Sequence, residues 1–209
     1  TRIVRDVDVV VHTAGIPDEA PFGDLLESNL RATYNVFEAA RLNGVRRVVF
    51  ASSAHVIGFY PRGEALTEFS PVRPDSLYAV TKVFGEALGR LYSDKFGMEV
   101  ICIRIGSFRP TPEGQRQLAT WLSPRDAVHL VDRCIEASVP PFSIVYGASA
   151  NSGGWWSDAT AEQLGYRIKL LGITKRTSKG IELRVHPSLI PAKRLIANVE
   201  GAMNAVVVN

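Results

Sequence analysis

The feature that most restricts this chain is the alternation of short β-branched runs with stretches of helical character. The runs are Val7–His12, Arg47–Ala51, Met98–Ile105 and Phe142–Tyr146. Each has the continuous apolar pattern of a strand buried on both faces. Between them, Leu26, Leu30, Phe37 and Ala40 share one face of a helix over residues 24–43, which stops at Asn43-Gly44. A second helix is expected from Asp75-Ser76 to about Phe96. A third opens with Ser123 as cap and Pro124 in the first position and runs to about Ala137, and a short one covers Asp158–Leu164. Strands and helices alternating at this length predict right-handed βαβ units and an α/β fold of the Rossmann-like, doubly wound type with a parallel sheet.

In such sheets a ligand lies beyond the carboxyl ends of the strands. Here the first three runs close on Thr13-Ala14-Gly15, on Ser52-Ser53 and on Gly106-Ser107. Three small or polar strand ends in succession predict the floor of a cleft. Tyr78 and Lys82 stand four residues apart, so a helix places them on one face. A tyrosine is a poor base at neutral pH, and a nearby ammonium favours its phenolate. Ser53 is placed to hydrogen-bond the same substrate oxygen. Taken alone the Tyr-x-x-x-Lys spacing is common on ordinary helix surfaces. Its place between the Ser-Ser and Gly-Ser strand ends turns it into a candidate catalytic triad.

Composition narrows the partners. Formal net charge is +3, which gives no argument for nucleic acid. The positive excess sits in the tail, where Lys175, Arg176, Lys179, Arg184, Lys193 and Arg194 face only Glu182 and Glu200. No run is long and apolar enough to span a bilayer, and the first residues lack the apolar stretch of a secretion signal. Cys102 and Cys134 read as buried thiols of a reducing compartment. A cytoplasmic protein without membrane or nucleic-acid partners is expected.

The runs Val9–Gly15, Asn29–Asn35, Phe50–Ser53 and Tyr78–Lys82 together resemble the extended short-chain dehydrogenase/reductase superfamily, in its NAD-dependent epimerase/dehydratase branch. Within it, Ser53–Arg62, Pro74–Tyr78, Arg104–Phe108, Trp121–Asp126 and Trp155-Trp156 resemble the uronate dehydrogenase family. The resemblance covers about residues 6 to 167. It implies NAD as cofactor and oxidation of a hexuronic acid, galacturonate or glucuronate, at C1 to an aldarolactone. Tyr78 would be the base, Lys82 its partner and the ribose contact, and Ser53 the residue that positions the hydroxyl. Thr13, Ala14, Gly15 and Ile105 would lie along the cofactor. His55 and Ser107 would contact sugar hydroxyls, and Arg116 would hold the carboxylate, which a guanidinium can grip bidentately.

From the residues alone, His55 reads equally as a solvated loop histidine, Arg116 as half of a surface ion pair and His12 as a packed core residue. Asn29 reads as a bridge between backbone groups of its own helix, and Trp155-Trp156 as a packing pair. The alternatives are a sugar-nucleotide epimerase or dehydratase of the same branch, or a silent dinucleotide-fold binding module.

The chain also departs from the family. Pro17 and Ala54 stand where uronate-type members carry serine and asparagine. No Gly-x-x-Gly-x-x-Gly turn occurs, and the resemblance starts just before the family's fourth strand. About 60 residues of the dinucleotide-binding half, roughly a βαβ unit plus a strand, are expected to be missing, leaving apolar sheet faces exposed and the activity of the chain as it stands in question. Residues 1–167 therefore read as a partial catalytic domain truncated at the N-terminus. Residues 168–209 read as an atypical basic tail without family pattern, either a frameshifted or fused segment or a lineage-specific tail, in which Ile190–Asn204 has helical composition. A homo-oligomer built on the helices at 24–43 and 76–96 is a further expectation.

Overall fold

The computed structural model describes residues 4, 6–112, 114–151, 153–157 and 159–166, with strand segments at 173–177, 180–184 and 206–208. In chain order, β1 (Val9–His12) leads to α1 (Phe22–Leu25), a π-helical turn (Leu26–Arg31) and α2 (Ala32–Leu42). Then come β2 (Arg47–Ser53), a 3₁₀ turn (Ala54–Ile57), α3 (Leu77–Phe96), β3 (Glu99–Ile105) and β4 (Ser107–Phe108). After these follow α4 (Gln115–Thr120), β5 (Trp121–Leu122), α5 (Pro124–Glu136), β6 (Phe142–Gly147) and α6 (Ala159–Gln163). The remaining strands are β7 (Ile173–Thr177), β8 (Gly180–Arg184) and β9 (Val206–Val208). The helical stretch at Ile190–Asn204 lies outside the described residues.

The main sheet has the order β6-β3-β2-β1-β9, and its first four strands are parallel. Because side chains alternate across a strand, consecutive residues feed two separate cores. Val9, Val11, Val49, Ile101 and Ile103 pack with Leu130, Cys134 and Ile135 of α5 and Ala161 of α6. Val10, Val48, Phe50, Val100 and Cys102 pack with Phe37 and Ala40 of α2 and Tyr92 of α3. Helices on both faces of a parallel sheet are the doubly wound arrangement expected from the sequence. At its other edge, β1 pairs with β9, antiparallel, Val10 opposite Val207.

Two glycines set the distance between α3 and the sheet. A Cβ on Gly85 would lie 2.2 Å from Cζ of Phe50, and one on Gly89 would lie 2.8 Å from Cγ1 of Val100. Their bare faces let the helix settle against β2 and β3. That approach carries the first turns of α3 to the carboxyl end of β2. On the opposite face, Arg47 Nη1 donates to the carbonyls of Cys134 and Ile135 at 2.8 and 2.7 Å, capping the end of α5.

His12 closes β1 and is almost fully buried, with Nε2 3.0 Å from the Thr33 hydroxyl. Burial, helped by the charge of Lys82, pushes its pKa from 6.5 down to about 4. As pH falls through 6.5 an unfolded chain takes up a proton that the folded one refuses until about pH 4. Stability present above pH 6.5 is therefore lost across that window, by up to about 3 kcal/mol. Urea midpoints at pH 7 and pH 5 should differ less in His12→Gln than in the unmodified protein. An equal acid loss in both would show that His12 does not carry it.

Candidate active site

The site is assembled at the start of α3. Ser76 is the helix cap, in extended backbone, and its hydroxyl accepts from the Ala79 amide at 3.1 Å. The next two amides are taken from outside the helix. Glu19, on the loop after β1, accepts from Leu77 N at 3.3 Å and Tyr78 N at 3.0 Å. With its first turn satisfied in this way, the helix holds Tyr78 and Lys82 one above the other, both buried. Ser53, the last residue of β2, lies near enough to the Tyr78 side chain for its hydroxyl to act on the phenol's pKa. Its hydroxyl also accepts from the His55 amide at 3.2 Å. Lys82 Nζ donates to the Ala51 carbonyl at 2.9 Å and lies 5.6 Å from the centre of the Tyr78 ring. The structure thus brings Ser53, Tyr78 and Lys82 into one place.

The electrostatics of that trio differ from the sequence expectation. Burial raises the Tyr78 pKa above its ordinary value, the Asp18 charge adds to the rise, and only the Ser53 hydrogen bond opposes it. Lys82 is itself drawn down by burial to about 8. In the protein alone the ammonium does not acidify the phenol, because desolvation penalises both charged forms.

Beyond the ends of β2 and β3 opens a cavity of about 280 Å³. His55, Ile105, Ser107 and Arg116 are on its wall. Ser107 is 3.0 Å from the Thr120 hydroxyl, which donates in turn to the Arg116 carbonyl at 3.2 Å, so the two predicted contacts are tied to one turn of α4. Arg116 is exposed and has no ion pair among the described residues; Glu113, the neighbouring acid of the surface-pair reading, lies outside them. Trp155 and Trp156 also line the cavity, and Trp156 stacks on Tyr146 with centroids 5.0 Å apart.

Thr13, Ala14 and Gly15 are not on that wall. They leave β1 on the side of Asn29, and Gly15 has φ +134 with room for a Cβ only 2.8 Å from Asn29 Oδ1. Asn29, buried in the π-helical turn, accepts from Ile16 N at 2.8 Å. It donates to Ile16 O at 3.1 Å and Thr81 Oγ1 at 3.0 Å. It therefore bridges the loop after β1 to α3, where a bridge within its own helix was one reading. π-helical turns recur at functional sites.

Among the wall residues that sequence reasoning missed are Thr120, Arg62 and Asp75. Asp75 lies with both carboxylate oxygens 2.9 Å from His55 Nδ1. Asp75 reads in sequence as part of a cap signal beside Ser76, and no local pattern separates the two roles.

Comparison with known proteins places two different matches along the chain. Residues 1–138 match the NAD dependent epimerase/dehydratase family. Over 167 residues the chain is 47% identical to uronate dehydrogenase of Agrobacterium fabrum, covering 80% of this chain and 63% of that protein. The structure of a mutant uronate dehydrogenase from Agrobacterium tumefaciens complexed with NAD is 46% identical with a TM-score of 0.78, over 80% of this chain and 63% of that one. The chain thus spans less than two thirds of the length of these relatives. Residues 143–209 match homoserine dehydrogenase. Homoserine dehydrogenase of Neisseria gonorrhoeae is 76% identical over 49 residues, 23% of this chain and 11% of that protein. The expectation of a tail without family pattern is overturned by that match.

Proposed function

Because the chain belongs to the NAD dependent epimerase/dehydratase family, we propose that it serves the NAD-dependent oxidation of a hexuronic acid, galacturonate or glucuronate, at C1 to an aldarolactone. One observation carries this reading: buried Ser53, Tyr78 and Lys82 are gathered next to His55, whose ring lies 6.0 Å from that of Tyr78 and which lines a cavity with a cation, Arg116, on its wall.

Bound NAD supplies the hydride acceptor. The residues present fit its nicotinamide end. Lys82 is a buried ammonium with one carbonyl acceptor, so two of its three N–H bonds are left for ribose hydroxyls. Gly15 permits a close backbone approach at the end of β1. Thr13, Ala14 and Ile105 are the remaining contacts we assign to it. On the substrate side, Arg116 holds the carboxylate while His55 and Ser107 take ring hydroxyls. Ser53 orients the C1 hydroxyl, and Tyr78 accepts its proton as the C1–H bond gives up its electron pair. The C1–O bond becomes the lactone carbonyl, and one proton and one hydride leave the sugar.

We treat residues 1–167 as the catalytic domain and 168–209 as a distinct segment because uronate dehydrogenase of Agrobacterium fabrum aligns over 167 residues, with the second family's match already beginning at residue 143. Exposed Tyr34, Leu42, Val80 and Leu91 on α2 and α3 suit pairing with a second copy. The two buried thiols, Cys102 and Cys134, neither in a disulfide, suit a cytoplasmic protein.

Mixing the protein with NAD and galacturonate or glucuronate and following NADH absorbance tests the assignment. NADH formation is expected. Conversion of a UDP-sugar without net NADH would replace it with the epimerase reading. Absence of nicotinamide binding would leave only a silent binding module.

A further inference from the structure

The pair formed by His55 and Asp75 is built more firmly than a loop contact requires. Two segments are laced together by backbone hydrogen bonds: Arg73 N to Val56 O at 2.8 Å, Phe59 N to Arg73 O at 3.1 Å and Asp75 N to His55 O at 3.3 Å. That lacing sets the Asp75 carboxylate against the imidazole. Both of its oxygens lie 2.9 Å from Nδ1, and Ser76 Oγ donates to Oδ1 at 3.3 Å. The space behind the carboxylate is closed by Gly58. A Cβ there would lie 1.9 Å from Asp75 Oδ2 and 2.2 Å from its Cγ, so only glycine lets the carboxylate occupy this position.

A carboxylate only accepts hydrogen bonds, so Nδ1 of His55 carries the proton. A neutral imidazole with Nδ1–H has a bare lone pair on Nε2. His55 lines the cavity with Nδ1 already engaged, which leaves Nε2 as its free nitrogen.

We propose that Asp75 is a positioning residue that locks His55 in its Nδ1–H tautomer, so that the cavity presents an acceptor and selects a sugar whose hydroxyl donates to Nε2. The sugar half of this inference rests on the function proposed above, and the tautomer half does not. Gly58 belongs to the same device, because it lets the carboxylate reach the ring. His55 touches the sugar, and Asp75 acts through it.

The test joins ¹⁵N NMR of histidine-labelled protein at alkaline pH with steady-state kinetics. His55→Gln identifies the resonances of His55 among the four histidines. The unmodified protein is expected to show the Nδ1–H pattern. Asp75→Ala is expected to shift His55 toward Nε2–H and to raise KM for the sugar acid about tenfold, the worth of one hydrogen bond, with a smaller change in kcat. NAD affinity should stay constant. An Nε2–H pattern in the unmodified protein overturns the proposal without recourse to any variant, as does an Asp75→Ala protein with both tautomer and KM unchanged. Should no sugar acid turn over, the proposed function fails, while the tautomer measured in the unmodified protein still decides the role of Asp75.

Discussion

Tyr78→Phe is expected to lower turnover of the sugar acid by about 100- to 10,000-fold, the usual worth of a placed general base. The variant keeps the ring, its packing and the 5.6 Å approach of Lys82, and deletes only the hydroxyl. Titration with NAD should give the same affinity, because the phenol oxygen is the reacting group. Burial holds the phenol above its ordinary value, so in the unmodified protein the rate should climb with pH as the phenolate fraction grows. The rising limb should vanish in the variant. Turnover within a fewfold of the unmodified protein would mean that another group takes the proton.

The second large effect lies beneath the site. Arg104 on β3 meets Glu86 on α3 in a two-pronged ion pair, Nε to Oε1 at 3.0 Å and Nη2 to Oε2 at 2.9 Å, with both side chains buried. Ser52 donates to the same carboxylate at 2.7 Å, and Tyr146 is 3.4 Å from Arg104 Nη1. Arg104→Met should destabilise the protein by about 3–5 kcal/mol, because it strands a buried carboxylate with one hydroxyl for company. Replacing both partners, Glu86→Leu with Arg104→Met, should cost far less, since no charge is left in the interior. Urea midpoints of the single and double variants check this. A double variant as unstable as the single one would show that the polar network itself, rather than the stranded charge, sets the cost.

How far the sequence discloses this molecule depends on the range of each interaction. The parallel strands are legible because a run such as Arg47–Ala51 is apolar on both faces, and the two cores then follow from alternation. Tyr78, Lys82 and Ser53 are legible because one spacing on a helix and one strand end bring them together. Asp75 and Glu86 are not. Each acts on a partner set by tertiary packing, His55 or Arg104. Each also has an ordinary local role as a helix residue that conceals the pairing. The π-helical turn at Leu26–Arg31 is equally silent, since its extra residue is justified only by what Asn29 reaches across to. The raised pKa of Tyr78 in the protein alone is hidden for a related reason: spacing reveals a neighbouring charge but not how deeply both groups are buried.

Glu19 carries a consequence of its own. Its carboxylate closes the first amides of α3 from a loop that leaves β1, so that loop and the helix start share a single conformational equilibrium. Whatever quiets residues 13–19 also firms the backbone under Tyr78, and by reciprocity a well-formed helix start holds the loop.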